Sequence, residues 1–453
     1  MSQVTAGPEA APALTTITNA TIVTVDPGDR VIHGELRIEH GVITAITPTA
    51  SRGDPNAGDI AGAGLTIDAG GAIVMPGLIN AHAHLAMSLL RGVADGVDLQ
   101  GFLDIVLPIE AALLDSDFVS VGTMLAAAEC LRSGITSALD MYFFPEAALE
   151  ASETLGLRLH AGPVFVQFPG ADARPWPERM RWAHDWFLRP PHSLGSTRWA
   201  QPHSTYLVTE SQLRELAALV DDTGVRVHVH AAETRAEVRH VAELFDGRTP
   251  VQVLADVGLL HSRTVLAHAV HLTDADISLI AEAGAHVSHN PASNAKLASG
   301  LCRVRHLLDA GVNVALGTDG AASANDIDLW NAIRLAGLLP GVAHDNSTSI
   351  SARELIRMAT INGARALGVD AQLGSLEVGK RADIVMLDTQ SPFSMPSFDP
   401  LATLAYATTR AEVHTVLVGG SPVVSAGRVI RQPAGLGSQV VAAAERVRAQ
   451  LRT

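Results

Sequence analysis

Between Leu14 and about Thr66, apolar and polar residues alternate in short runs that are separated by turn-forming residues. Successive side chains of a β-strand point to opposite faces, so this alternation predicts half-buried strands. The predicted strands are Thr16–Thr24, Gly34–Glu39 and Gly41–Ile46. Their length and the turns between them favour a small antiparallel sheet at the start of the chain.

After residue 75 the pattern changes to a short strand, a polar loop and an amphipathic helix, repeated along the chain. The predicted strands are Ile73–Ile79, Thr136–Met141, Arg158–Val166, Arg198–Gln201, Val225–His230, Val265–His268, His286–His289 and Val312–Gly317. The predicted helices between them include Phe118–Arg132, Glu210–Asp222, Asp274–Ala283 and Val304–Ala310. This order is typical of a (β/α)8 TIM-type barrel. A doubly wound open sheet is the alternative, but a glycine-rich phosphate loop would then be expected after the first strand, and the sequence lacks it there.

Beyond a predicted helix at Ser351–Leu367, short strands return within Gly374–Leu387 and at Glu412–Val418. We expect both ends of the chain to pair into one discontinuous, β-sandwich-like domain of an α/β protein, with the barrel inserted in it. The predicted organisation is a disordered tail (1–13), a small β domain (14–70 and 370–435), the barrel (71–369) and a C-terminal helix (436–453).

Composition narrows the class of protein. The chain has 453 residues, 47% of them apolar, and a formal net charge of −15. That charge argues against nucleic acids and anionic membranes as partners. The first 14 residues lack a basic and an apolar segment, so they do not resemble a signal peptide. Two cysteines, Cys130 and Cys302, form no disulfide framework, which favours the cytoplasm.

Histidines and one aspartate mark the ends of the predicted barrel strands. His82 and His84 follow the first strand, His230 the fifth, His268 the sixth and Asp319 the eighth. Any one of them could be an ordinary hydrogen-bonded residue, but all five occupy the end where barrel enzymes bind substrates. Histidines with a carboxylate suit Zn²⁺ or Fe²⁺.

Glu233 lies three residues after His230. At that offset its carboxyl group can lie beside a metal without binding it, where it could protonate a ring nitrogen of a substrate. A helix first-turn carboxylate, stabilised by the helix dipole, is the simpler interpretation and is compatible with this role.

The chain contains five distinctive motifs, which are Pro76–Asn80 before His82-Ala83-His84, His230-x-x-Glu233, Ala267-His268-x-x-His271, Ser288–Asn294 and Gly317–Gly320. Together they resemble the amidohydrolase superfamily over about residues 14 to 430. Within that superfamily the chain is similar to the mononuclear-metal aminohydrolases, which include S-adenosylhomocysteine/methylthioadenosine deaminases and triazine hydrolases.

The resemblance implies that His82, His84, His230 and Asp319 bind one divalent metal, with Zn²⁺ favoured over Fe²⁺. It further implies that His268 contacts the metal-bound water and that Glu233 is the proton shuttle, so that Glu233, His268 and Asp319 form the catalytic group. Other members bridge two metals with a carbamylated lysine on the fourth strand. The two lysines here, Lys296 and Lys380, lie on no such strand, which excludes that arrangement.

The resemblance also predicts substrate contacts. Leu90–Asp95 and Val106–Glu110 are similar to segments of the adenosine-deaminating members, in which the glutamate matching Glu110 binds ribose hydroxyls. Pro202-His203-Ser204 matches a motif whose histidine lies against the substrate. Glu233 is expected to contact the substrate as well.

Two positions depart from members that accept a homocysteine carboxylate. Pro163 replaces an arginine at the end of the third strand, and Arg174 from the following loop is a candidate substitute. A tryptophan usual before Leu107-Pro108 is replaced near Phe102. We therefore expect an adenine-type ring with a hydroxylated or apolar appendage.

The predicted function is hydrolytic deamination of an adenine-type nucleoside, such as adenosine, methylthioadenosine or an S-adenosylhomocysteine-like compound, to its inosine analogue and ammonia. An aminohydrolase or chlorohydrolase for a triazine, pterin or guanine is the alternative, and a catalytically silent scaffold is a third hypothesis. The expected partner is a small N-heterocycle, not a nucleic acid or membrane, and a homo-oligomer is left open.

Overall fold

The computed structural model describes residues 12–49, 64–190, 194–343 and 350–452. The predicted disordered tail at 1–13 falls almost entirely outside the described residues. Within the described ranges the protein is a mixed α/β structure with a separate β-sheet formed by both ends of the chain. No helix in these ranges has the length and apolar content needed to cross a membrane.

The separate sheet has nine strands in the order β19-β18-β17-β16-β5-β1-β2-β3, with β4 also paired to β1. They are β1 Leu14–Val23, β2 Val31–Glu39, β3 Val42–Pro48, β4 Leu65–Asp68, β5 Ile73–Pro76, β16 Ile384–Leu387, β17 Val413–Val418, β18 Ser421–Ser425 and β19 Arg428–Val429. The two ends of the chain share this sheet as predicted, but they are joined through β5, which was predicted to be part of the barrel and which pairs with β1 on one side and β16 on the other. The sheet is antiparallel across β1, β2 and β3, as predicted, whereas β4 and β5 lie parallel to β1.

The other strands form two parallel ladders, ordered β15-β6-β7-β8 and β14-β13-β12-β11-β10-β9. They are β6 Leu78–His84, β7 Ile135–Asp140, β8 Arg158–His160, β9 Val164–Phe165, β10 Trp199–Pro202, β11 Arg226–Ala231, β12 Thr264–His268, β13 His286–His289, β14 Asn313–Leu316 and β15 Asp319–Gly320. Nearly every residue of these strands is buried, as expected of strands covered on both faces.

Helices alternate with the parallel strands. They are α1 Leu99–Leu113, α2 Ser116–Arg132, α3 Pro145–Leu155, α4 Trp176–Phe187, α5 Glu210–Thr223, α6 Arg235–Leu244, α7 Pro250–Asp256, α8 Asp274–Ala283, α9 Pro291–Lys296, α10 Val304–Asp309, α11 Ala321–Ala324, α12 Leu329–Ala343, α13 Ala352–Met358, α14 Ile361–Leu367, α15 Pro400–Ala402 and α16 Leu436–Gln450. The predicted helix Ser351–Leu367 is two helices, because the backbone of Thr360 leaves the helical conformation (φ −131°, ψ −94°). The helix α5 begins where predicted because the side chain of Thr209 caps it by accepting the N–H of Gln212.

The predicted strand Ile73–Ile79 is also wrong as a single element, because the chain changes sheets at Gly77. The Gly77 N–H donates to Asp383 O, and the next N–H, from Leu78, donates to Gly134 O. A Cβ atom on Gly77 would lie 2.2 Å from Thr136 Oγ1, so the approach to β7 requires glycine. This crossing leads β6 into the parallel ladder and carries its two histidines to the end of that strand.

A buried ion pair ties the parallel ladder to the nine-stranded sheet. Arg158 Nη2 lies 3.0 and 3.2 Å from the two carboxylate oxygens of Asp383, and Asp383 also accepts the N–H of Gly419 at 2.7 Å. Both side chains are buried, Arg158 to 1% and Asp383 to 5% exposure. Each charge therefore depends on the other for compensation.

Replacing Arg158 with methionine should destabilise the protein by about 3–5 kcal/mol, because it leaves the Asp383 carboxylate buried and uncompensated. The free energy of unfolding can be measured by urea titration. The double variant Arg158→Met/Asp383→Asn, which removes both charges, should recover part of that loss. Equal stability of wild type and Arg158→Met would contradict the structural role given to the pair.

Candidate metal centre and active site

Five predicted site residues, the four proposed metal ligands and His268, lie at or just beyond the carboxyl ends of the parallel strands. His82 and His84 lie at the end of β6, His230 near the end of β11, His268 at the end of β12, and Asp319 at the start of β15. His268 and Asp319 have left-handed backbones, with φ of 72° and 61°. Residues other than glycine adopt this conformation at a cost of roughly 1–3 kcal/mol, and such strain is concentrated at functional sites.

Four of these side chains bring their donor atoms within a few ångströms of one another. Asp319 Oδ1 lies 3.3 Å from His82 Nε2 and 3.2 Å from His84 Nε2. The Nε2 atoms of His84 and His230 are 3.2 Å apart. The structure therefore brings the predicted ligand set together. It also places His268 near the cluster, with a donor atom within 4.8 Å of those of His82 and His230.

Outward hydrogen bonds fix which nitrogen of each imidazole faces the cluster. His84 Nδ1 donates to the carbonyl of Met141 at 2.6 Å, and His230 Nδ1 donates to the carbonyl of His203 at 2.7 Å. A carbonyl can only accept, so in both rings the proton lies on Nδ1. The Nε2 lone pairs are thus free and directed inward, as in histidines that bind metals.

His228 makes the corresponding contact to His82 and was not predicted. Its Nε2 lies 2.9 Å from His82 Nδ1. Gln201 Nε2 lies 3.3 Å from His228 Nδ1 and donates to the carbonyl of Asp140 at 2.7 Å. The sequence held one signal for His228, because it precedes His230 by two residues on the same strand and so faces the same side.

Burial controls the charge of these groups. It lowers the pKa of His82 to about 3 and that of His230 well below its usual value, so both imidazoles are neutral and able to bind a metal. Burial alone would raise the pKa of Asp319. The imidazoles of His82, His84 and His268 around its carboxylate instead hold that pKa well below its usual range.

The second oxygen of Asp319 is held by two serines. Ser293 Oγ and Ser323 Oγ donate to Asp319 Oδ2 at 2.6 and 2.8 Å. Oδ1 is therefore the atom that faces His82 and His84. Neither serine was predicted individually, although Ser293 lies in the Ser288–Asn294 motif.

The cluster passes a simple test of fit to a divalent cation. His82 Nε2 is fully buried and has no hydrogen-bond partner among the described residues. Such an atom is costly unless another group compensates it. Together with the Nε2 atoms of His84 and His230 and the carboxylate of Asp319, it forms a donor set that suits zinc or iron.

Glu233 lies beside the cluster, with Oε1 3.8 Å from His268 Nδ1. Ser299 Oγ donates to Glu233 Oε1 at 3.1 Å. Burial raises the pKa of Glu233, which makes a proton easier to hold on its carboxyl group. His268 Nδ1 also lies 2.8 Å from Asn294 Oδ1, which fixes the orientation of its ring.

The backbone before Glu233 is held by Glu237, which was not predicted. Its two oxygens accept the N–H groups of Ala232 and Glu233 at 2.9 and 2.6 Å. Ala232 has a left-handed backbone with φ of 53°, which turns the chain between β11 and α6. Burial raises the pKa of Glu237 to about 7.

Two of the predicted substrate contacts lie close to the cluster. Glu110, on α1, accepts a hydrogen bond from the hydroxyl of Tyr142, whose ring centroid is 6.4 Å from that of His84. The ring of His203 lies 4.6 Å from that of His230, and His203 Nδ1 is buried without a partner among the described residues. Tyr142 was not predicted.

Arg174 is held elsewhere. Its Nε lies 3.3 Å from Asp172 Oδ2, and its guanidinium stacks 4.3 Å from the ring centroid of Trp182. Neither of these partners of its side chain belongs to the histidine cluster. Lys296 donates to the carbonyls of Ala94 and Ala322 at 2.9 and 3.1 Å, so its amine links the loop before α1 to α11.

Comparisons with known proteins agree with this geometry. The model of the amidohydrolase family matches residues 73–423, and the chain belongs to that family. The predicted resemblance is confirmed, and with it the assignment as a hydrolase that acts on C–N bonds.

Curated relatives are similar over most of their length. A protein of Syntrophobacter fumaroxidans named 5-methylthioadenosine/S-adenosylhomocysteine deaminase is 38% identical over 416 residues, covering 91% of this chain and 93% of the relative. A Methanothermobacter thermautotrophicus protein named 5'-deoxyadenosine deaminase is 40% identical over 391 residues, covering 85% and 88%. An adenosine deaminase structure from Xanthomonas campestris with bound zinc has a TM-score of 0.89 and 35% identity, covering 97% and 98%.

Proposed function

We propose that this protein is a metal-dependent deaminase of adenine-type nucleosides, which releases ammonia and the inosine analogue. The observation that carries the proposal is the position of the buried Glu233 carboxyl group, 3.8 Å from His268 and beside the cluster of His84, His230 and Asp319. The names of the curated relatives and of the zinc-containing adenosine deaminase structure support the same class of substrate.

We infer that the two parallel ladders close into one (β/α)8 barrel. The segments β8 and β9 are separated by three residues, β14 and β15 by two, so the pairings follow one cyclic order of eight strand positions. The barrel would occupy residues 71–369, inserted between the parts 14–70 and 370–435 of a small β domain. In such a barrel the strand ends that carry the histidines line the mouth.

His82, His84, His230 and Asp319 would hold one divalent metal, with zinc favoured. When bound, the metal would lower the pKa of a coordinated water from about 16 towards roughly 7. Asp319, ionised and held by two serines, and His268, held by Asn294, are positioned to take the proton of the attacking water.

Glu233 would act on the substrate ring. It protonates the ring nitrogen next to the carbon that bears the exocyclic amine, which draws electrons from that carbon and makes it a better electrophile. Its raised pKa favours the protonated carboxyl group that this step needs. After the water has added to the carbon, transfer of a proton to the amine allows it to leave as ammonia.

Glu110 and His203 would recognise the nucleoside. Tyr142 donates to Glu110 Oε1, which leaves Oε2 free to accept ribose hydroxyls. The unpartnered Nδ1 of His203 lies on a ring beside His230 and can bond to a polar group of the substrate. A bare triazine, pterin or guanine has no ribose, so the Glu110 arrangement favours the nucleoside over these alternatives.

We also propose that the preferred appendage is apolar or hydroxylated. Pro163 offers no charge at the end of the third strand position, and Arg174 is engaged by Asp172 and Trp182. The cytoplasmic location predicted from the cysteines is supported by Cys130 and Cys302, which are both free and buried.

Elemental analysis of purified protein should give one equivalent of metal per chain, because the donor set surrounds a single position. His82→Ala should lose that metal, whereas the control His184→Ala, on the half-exposed side chain of α4, should keep it. Two equivalents per active chain, or full activity in a metal-free preparation, would contradict the proposed centre.

Glu233→Gln keeps the shape of the side chain and removes its acid. Metal content should persist, while kcat for the preferred nucleoside should fall by roughly 10²–10⁴-fold, as is typical for a lost acid–base group. Glu243→Gln on the exposed side of α6 is the matched control and should behave as wild type. Near-normal turnover of Glu233→Gln would assign the proton shuttle to another residue.

Glu110→Ala should weaken nucleoside recognition by about 1.5–3 kcal/mol, the usual range for hydrogen bonds to a charged group. The measurement is kcat/KM from ammonia release with adenosine, methylthioadenosine, S-adenosylhomocysteine and adenine. Activity with adenine, which has no ribose, should hardly change, and Asp104→Ala on the exposed side of the same helix is the control.

The same panel, extended with guanine, a pterin and hydroxytriazines, separates the alternatives. Strong preference for S-adenosylhomocysteine would contradict the role given to Pro163. Arg174 would then again be the candidate residue for binding the substrate carboxylate. Turnover of a triazine or pterin without any adenine compound would overturn the nucleoside assignment.

A further inference from the structure

His271 completes the Ala267-His268-x-x-His271 motif but has no part in the mechanism above. Its Nε2 lies 2.6 Å from the carbonyl oxygen of Ser299. Since a carbonyl only accepts hydrogen bonds, Nε2 carries the proton and donates it. His271 therefore anchors the short segment 298–300, which follows α9.

The same segment reaches the proton shuttle. Ser299 is 5% exposed, and its hydroxyl donates to Glu233 Oε1 at 3.1 Å. Gly300 has a φ of +128°, and a Cβ atom on it would lie 3.2 and 3.3 Å from two ring atoms of His271. The close packing of His271 on this turn thus depends on glycine at position 300.

The segment is also tied to the ring of His268. Ser299 N–H donates to the carbonyl of Asn294 at 2.9 Å, and the side chain of Asn294 accepts from His268 Nδ1 at 2.8 Å. Glu237 holds the backbone of Glu233 by accepting its N–H. Among the described residues, the hydrogen bond that reaches the Glu233 carboxyl group comes from the Ser299 hydroxyl.

We propose that His271 and Ser299 are positioning residues for the proton shuttle, with His271 holding the Ser299 carbonyl and the Ser299 hydroxyl holding Glu233 Oε1. A protonated carboxyl group carries its proton on one oxygen. Because Ser299 donates to Oε1, that proton is directed to Oε2, the oxygen free to meet a ring nitrogen. The proposal rests on the proposed role of Glu233 as the acid.

A double-mutant cycle tests the link between Ser299 and Glu233. Ser299→Ala should lower kcat by about tenfold to a hundredfold, with a smaller change in KM and with metal content unchanged. In the Glu233→Gln background, where no acid remains to be oriented, the same substitution should change kcat by less than about twofold. Ser278→Ala, on the exposed side of α8, is the control and should match wild type.

The link to His271 is tested by substitution and by amide hydrogen exchange. His271→Ala should lower kcat in the same direction as Ser299→Ala and should speed exchange at Ser299 and Glu233. His271→Gln, whose amide can still donate to the Ser299 carbonyl, should recover part of both effects.

Each result bears on one of the two proposals. The positioning role is overturned if Ser299→Ala lowers kcat equally in the wild-type and Glu233→Gln backgrounds. It is also overturned if Ser299→Ala does not lower kcat at all. Should wild type hydrolyse a different heterocycle of the panel, the nucleoside assignment fails and the cycle is run on that compound. If wild type hydrolyses no compound of the panel, the proposed function fails, and amide hydrogen exchange then tests the positioning role by itself. Faster exchange at Ser299 and Glu233 in His271→Ala supports that role, and unchanged exchange overturns it.

Discussion

Two backbone carbonyls, those of Met141 and His203, set the chemistry of the whole centre. Each accepts the Nδ1 proton of an imidazole, at 2.6 Å from His84 and 2.7 Å from His230, and so leaves the Nε2 lone pair facing inward. Met141 directly follows β7, which pairs with β6, and His203 directly follows β10, which pairs with β11, so the strand pairing and not a side-chain rotamer fixes the position of each carbonyl. A shift of either strand would turn the Nε2 atom of one imidazole away from the cluster, so the positions of the strands determine the geometry of the site.

The core must hold groups that would not adopt these positions by themselves. Imidazoles that are kept neutral by burial, a buried carboxylate and left-handed backbones at His268 and Asp319 all cost free energy. Strands buried on both faces supply compensating apolar contacts around them. Beside the cluster, Glu233 Oε1 lies 3.8 Å from His268 Nδ1, which is where part of the proposed proton chemistry would take place.

The sequence predicted the order of strands and helices and the convergence of His82, His84, His230 and Asp319, because both follow from local periodicity and from the rule that parallel strand ends share one edge. The prediction from sequence was wrong where contacts between distant segments determine where an element ends. The break at Gly77 depends on Thr136 and Asp383, and the split of the terminal helix depends on Thr360. Ser299 and Tyr142 were missed because their roles depend on partners far along the chain.

Arg174 was predicted as a candidate for binding a substrate carboxylate. Whether it can do so depends on the free energy of the contacts that it already makes, which the sequence does not reveal. To reach a substrate carboxylate, its guanidinium would have to leave Asp172 and the face of Trp182. A half-exposed ion pair contributes about 0–1 kcal/mol and an exposed cation–π contact about 0.5–1 kcal/mol. A new ion pair with a substrate carboxylate, if similarly exposed to solvent, would contribute a similar amount, so replacing the present contacts gains little. A carboxylate on the appendage would therefore add little binding free energy, in keeping with the apolar or hydroxylated appendage proposed for this site.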